Sequence, residues 1–130
     1  MRSPKSLLFG DMFKALIKIH LSLITTCGTL VMDQGISHAR WQLIWFISFK
    51  KVAMTVPDIA KSLGISRQGI QKQIDVLLND GLICLQENPA NKRSPKYLIS
   101  PKGQALHDRI ESAVFFPWIE KMSENYDEKD

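Results

Sequence analysis

Residues 55–79, TVPDIAKSLGISRQGIQKQIDVLLN, hold two helical patterns joined across one glycine. Thr55-Val-Pro-Asp58 resembles a capping box with Asp in place of Glu, and Pro57 sits in a first turn where its missing N–H costs nothing. The helix that follows spans Val56 to Leu63, with Ile59, Ala60 and Leu63 on one face and Gly64 at its end. Ser66 then caps a second helix to about Asn79, whose Ile70, Ile74, Leu77 and Leu78 recur at helical spacing and face the core. Gly64 permits the turn, and Ile65 is placed to plug the angle between the helices. By subtraction Arg67, Gln68, Gln71, Lys72 and Asp75 point outward. The second helix begins at Ser66, where free N–H groups and positive partial charge suit a phosphate. Arg and Gln are residues that make paired hydrogen bonds to base edges in the major groove. Gly69 costs about 1 kcal/mol against Ala, so it is expected to serve a close approach to DNA or to the preceding helix.

Downstream, Leu82–Gln86 and Lys96–Ile99 read as short strands. The turn-rich ENPANKRSP between them closes a hairpin. Its tip carries Lys92, Arg93 and Lys96, fit to follow a phosphate backbone or place an arginine in the minor groove. Ser100 caps a further helix with Pro101 at its first position. That helix runs through Leu106, Ile110, Ala113 and Val114 toward Phe116, and Pro117 is expected to break or kink it. A further turn is expected over residues 118–122, and the tail SENYDEKD is expected to fray.

Upstream, residues 1–5 read as loose. From Ser6 to Met32 apolar residues recur at helical spacing, including Phe9, Phe13, Leu16, Ile17, Ile24, Cys27 and Val31. So wide an apolar face implies burial on two sides, one against its own domain and one against a partner subunit. Ser37 caps a second helix from His38 to Phe49. Trp41 and Trp45 stand at i, i+4, either as core aromatics or as the lining of a small-molecule pocket.

The 130 residues suit one domain, and 45% hydrophobic with 23% charged residues is ordinary for a globular protein. Residues 50–103 carry nine Lys/Arg against four Asp/Glu, whereas residues 104–130 carry three against seven. The basic segment coincides with the helix-turn-helix; a basic stripe suits phosphate contact, and charge alone fits a merely solvated surface equally well. Cys27 and Cys84 are far apart and outside any CxxC spacing, so no disulfide framework or four-ligand zinc site is expected. No uncharged apolar run reaches the length of a membrane span, and a cytoplasmic location is expected. His20, His38 and His107 are scattered, and no spacing among them argues for a metal. No phosphate loop, nucleophile motif or carboxylate pair suggests an enzyme, and no cofactor is implied.

The stretch TVPDIAKSLGISRQGIQKQIDVLLNDGLICLQENPANKRSPKYLISPKGQAL resembles the DNA-binding part of the MarR family of winged-helix transcriptional regulators. The matching pieces are VPDIAKSLGIS, SRQGIQKQIDVL, the NDGLI turn and LISPKG, where the family usually has Leu-Thr-Pro-Lys-Gly. The resemblance implies a mainly α fold with a small β-hairpin wing. Its order is two helices, a minimal strand, two helices, a strand, the wing, a strand and a last helix. It implies one domain over 1–130, a DNA-binding lobe at 54–103, and a dimerisation region from 6–32 and 101–122. It further implies a homodimer on a pseudo-palindromic DNA site, controlled by a small aromatic effector or an oxidant. DNA contact falls to Ser66, Arg67, Gln68, Gln71, Lys72, Lys92, Arg93 and Lys96. The dimer interface falls to Phe9, Phe13, Leu16, Ile110, Val114 and Trp118, and a ligand pocket to the region of Trp41 and Trp45. One position departs: the family's wing usually carries Asp-x-Arg, and here Asn91 replaces the acid before Arg93. A winged helix used for protein–protein assembly, without specific DNA recognition, is the competing expectation.

Overall fold

The computed structural model of the chain describes residues 1–124, so the expectation for the end of the tail, residues 125–130, lies outside it. The first helix, α1 (Pro4–Met32), begins earlier than its apolar pattern suggests. Ser3 Oγ caps it by accepting the Ser6 N–H, and Pro4 occupies its first turn. At Leu23–Cys27 it takes one π-helical turn, where Gly28 N–H reaches back to Leu23 O. Helix α2 (His38–Lys50) is capped by Ser37 and ends at Lys51, a left-handed residue with φ 55°. A minimal strand, β1 (Met54–Thr55), leads into α3 (Val56–Leu63), capped by Thr55 Oγ1 on Asp58 N–H. Gly64, at φ 67°, ends α3 as its position requires.

Helix α4 (Arg67–Asn79) follows, with Ser66 Oγ accepting Gly69 N–H at 3.1 Å. Strands β2 (Ile83–Gln86) and β3 (Lys96–Ile99) form the hairpin. They pair antiparallel, Leu85 opposite Tyr97, and β1 adds on the other edge of β3 with Met54 opposite Tyr97. Helix α5 (Pro101–Ile110) is capped by Ser100 and passes through a π-helical turn at Glu111–Phe115 into α6 (Phe116–Glu124).

Pro117 therefore does not break the helix. The π turn shifts the ladder just ahead of it, with Phe116 N–H reaching Glu111 O. An i→i+5 turn relaxes the crowding that a proline ring imposes on the turn before it.

The core lies where α1, α2, α3, α4 and α5 meet, and Val31, Ile44, Ile59, Ile74, Leu77 and Ile110 are fully enclosed. Three residues expected at a dimer interface, Ile110, Val114 and Trp118, belong to this core instead. Trp118 Nε1 donates to Ser22 Oγ at 3.1 Å and Ser22 Oγ donates to the Met122 sulfur, so α6 is fastened to the middle of α1. Ile65 is half exposed and does not plug the angle between α3 and α4; Ile59, Ala60, Ile70 and Ile74 fill it.

Helix α1 is buried only in its second half. From Pro4 to Ser22 no residue is buried, and Phe9, Phe13 and Leu16 are each about 60% exposed. Burial on two sides is thus not met within one chain. By length and composition alone this helix is long and apolar enough to cross a membrane, with a mean hydropathy of 1.6 over an 18-residue stretch. Lys14 and Lys18 interrupt its apolar sequence, so it holds no long uncharged run. Asp11, Lys14 and Lys18 fall at i, i+3, i+7 and share one side, which leaves a two-faced helix.

Trp41 and Trp45 part company. Trp41 is buried against His38 and Phe115, whereas Trp45 is 41% exposed and stacks on Phe49 with ring centroids 5.8 Å apart. They do not line one pocket. Burial, and secondarily the neighbouring His20, holds His38 below the usual histidine value.

Candidate nucleic-acid interface

The start of α4 and the wing face each other across an open cleft of about 440 Å³. Arg67, Gln68 and Gln71 line it from α4, and Asn91 and Arg93 from the wing. The core positions of α4 force this outcome. Ile70, Ile74 and Leu77 are at most 2% exposed, so the opposite face must point to solvent. Lys72 stands on the adjoining outer groove with Ser66, Gln68 and Asp75. Gln71 Nε2 donates to Asp75 Oδ1 at 2.8 Å, an i, i+4 bond that holds the Gln71 amide on this face.

Two of the expected contacts lie apart from the cleft. Lys92 borders a separate hollow with Leu85, Glu87 and Asn88. Lys96 is half-buried in β3, opposite Gln86 and Thr55. The structure thus gathers Arg67, Gln68, Gln71 and Arg93, sets Ser66 and Lys72 beside them, and turns Lys92 elsewhere.

The wing loop is shaped by two asparagines. Asn88, 9% exposed, donates Nδ2 to Ser94 O at 2.9 Å. Asn91 Oδ1 accepts the main-chain N–H of Arg93 at 3.2 Å. Asn91 therefore sets the turn that carries Arg93, in the manner of an Asx turn. Asn88 is a wing determinant that turn composition alone does not single out.

Gly69 does not serve a close approach to α3, none of whose atoms lies within 4 Å of a Cβ built there. A Cβ there would lie 3.1 Å from Ser66 Oγ, so the glycine leaves room for the capping hydroxyl. Cys27 is fully buried, and burial pushes its thiol up, which suits an inert packing role. Cys84 is exposed rather than packed, its Sγ 3.7 Å from Leu98 O.

The family model described as MarR family matches residues 34–94. Uncharacterized proteins of Mycobacterium tuberculosis and Mycobacterium bovis are 38% identical over 77 residues, 59% of this chain. The chain spans about half the length (52%) of these curated relatives. Among solved structures, a MarR mutant from E. coli complexed with operator DNA superposes with TM-score 0.74 at 17% identity, over 94% of this chain and 89% of that one. The regulator BldR from Sulfolobus solfataricus gives 0.77 at 16% identity, covering 98% and 89%. A MarR transcriptional regulator from Methanosarcina mazei gives 0.77 at 16%, covering 92% and 84%. At such identities the likeness is one of fold, and it extends over nearly the whole described chain. Sequence match over residues 34–94 and fold over the remainder agree: that segment matches the MarR family model, and the whole described chain has the winged helix-turn-helix fold of MarR regulators.

Proposed function

We propose that this protein is a homodimeric regulator of transcription that binds a pseudo-palindromic double-stranded DNA site in the cytoplasm. The observation that carries the reading is the single cleft joining Arg67, Gln68 and Gln71 of α4 to Arg93 of the wing. A helix N-terminus rich in Arg and Gln suits base edges, and a wing arginine beside it suits the phosphates or the narrow groove next door. The test is selection from a random duplex library at physiological salt. Enrichment of a palindromic site is the expected result, and a library that returns no enriched sequence defeats the proposal.

The exposed half of α1 supports the dimer. Phe9, Phe13 and Leu16 form an apolar surface of the kind that marks an interaction site. Phe116 and Ile119 of α6 are also exposed, and they take the place of Ile110, Val114 and Trp118 as C-terminal interface candidates. A two-fold partner would place two α4 helices in successive major grooves. Size measurement in solution is expected to give two chains per particle. Phe9→Glu with Phe13→Glu is expected to give one chain and to weaken operator binding at least tenfold. A double variant that remains dimeric removes α1 from the interface.

Arg93→Ala is expected to lower affinity about threefold to tenfold for all duplexes alike. It is also expected to reduce the slope of log affinity against log salt by about one. A changed sequence preference with an unchanged slope would assign Arg93 to base readout. A small aromatic effector would find its stacking surface on Trp45 and Phe49, since Trp41 is closed inside the core.

A further inference from the structure

Where α5 runs into its π turn, on the side that faces α2, three ligating side chains converge. His107, Asp108 and Glu111 each bring one ligand atom within 4.8 Å of the others. His107 Nε2 and Glu111 Oε1 are 3.2 Å apart. Two donors at that separation accept bonds of about 2.1 Å to one cation at an angle near 100°, roughly as a four-coordinate zinc-class ion requires. We propose that His107, Asp108 and Glu111 form a binding site for a single divalent transition-metal cation.

Three further observations favour a site over an ordinary intrahelical ion pair. His107 is only 5% exposed, and its Nδ1 is buried with no protein partner. Among the described residues the ring's one polar partner is Glu111, which faces Nε2, the nitrogen turned to the groove. Asp108 is held in place: Gln104 Nε2 donates to Asp108 Oδ1 at 2.8 Å, and Gln104 Oε1 accepts from Ser48 Oγ of α2 at 3.1 Å. Asp108 is exposed, yet its carboxylate is oriented by a hydrogen-bond chain that reaches Ser48 on another helix, as the carboxylate ligands of metal sites commonly are. Finally, all three residues line a groove of about 470 Å³, which leaves a coordination position open to water or a small ligand. Lys51 also lines that groove. Its single positive charge leaves the two carboxylates in excess, so a divalent ion improves the local balance.

One imidazole with two carboxylates suits zinc, manganese or ferrous iron better than calcium, which takes more oxygen ligands. Cobalt(II) serves as the probe because its absorption reports ligation directly. Titration of the full chain with Co2+, followed by displacement with Zn2+, is expected to show one ion per chain with a low-coordinate cobalt spectrum. Asp108→Asn with Glu111→Gln keeps the size of both side chains while removing their charge. This variant is expected to bind at least tenfold more weakly, with unchanged helical circular dichroism. Glu120→Gln on α6, outside the groove, is expected to bind as the unsubstituted protein does. Absence of stoichiometric binding, or equal affinity in the double variant, overturns the proposal. Neither result bears on DNA recognition by α4.

Discussion

Arg67→Ala combined with Lys72→Ala is expected to remove sequence-selective DNA binding, with affinity for the selected site falling about 100-fold. Each side chain is exposed on α4, and neither touches the core that Ile70, Ile74 and Leu77 build. Alanine is at least as good a helix former as Arg or Lys, so the helix itself is not weakened. Arg67 occupies the first helical position beside the Ser66 cap and lines the cleft shared with Arg93. There its planar guanidinium is set to take a base edge or phosphate with two hydrogen bonds. One such contact is worth about 1–3 kcal/mol. A loss of about 2.8 kcal/mol across both positions is a factor of roughly 100 in affinity. A gel shift or fluorescence titration on the selected duplex reads the effect. Lys121→Ala on α6, which removes a positive charge away from α4, serves as the control and is expected to leave binding unchanged. Undiminished binding by the Arg67, Lys72 double variant would remove α4 from the role of recognition helix.

What could be read from the chain, and what could not, divides along physical lines. The bounds of α3 and α4 are set by local chemistry. Thr55, Ser66 and Ser100 satisfy orphan N–H groups within three residues, and Gly64 accepts a left-handed turn. Such signals need no knowledge of the remainder of the fold. The outward face of α4 follows by period alone once Ile70, Ile74 and Leu77 are assigned inward. The failures are tertiary. Ile110, Val114 and Trp118 are apolar at helical spacing, and nothing in that spacing says whether their own chain or a second one covers them. Ser22 decides it for Trp118, across a separation of 96 residues. Trp41 and Trp45 lie near one another on α2, yet the edge of the core falls between them. Pro117 is tolerated because of the π turn at Glu111–Phe115, a register shift that apolar periodicity does not record. The cluster on α5 is silent when histidines alone are weighed. With carboxylates included, residues 107, 108 and 111 stand within about one helical turn.

Gly103→Ala is expected to destabilise the fold by about 3 kcal/mol, at the upper end of what overpacking ordinarily costs. Gly103 is buried near the start of α5, and its N–H donates to Ser100 Oγ at 3.0 Å. A Cβ built there falls onto the Leu82 carbonyl and within 3.0 Å of Ile99 Cγ1. The obstruction is main chain, which cannot swing aside as a flexible side chain does. The same carbonyl accepts Ser100 N–H at 3.1 Å, while Ser100 Oγ donates to Gly81 O. The start of α5 is therefore seated directly on the 80–82 turn that links α4 to the wing. Moving it by the width of a methyl group strains the link between recognition helix, wing and the C-terminal helices together. For a chain of this size the loss corresponds to a melting midpoint lower by roughly 10 °C. Thermal or urea denaturation measures it, and the selected duplex is expected to bind more weakly as well. Lys102→Ala, on the exposed side of the same turn, removes only the Lys102 Nζ bond to Asp80 O and costs about 1 kcal/mol or less. If the two substitutions proved equally mild, α5 could not approach Leu82 this closely, and the linkage between the DNA-binding lobe and the helical end of the molecule would have to run through other contacts.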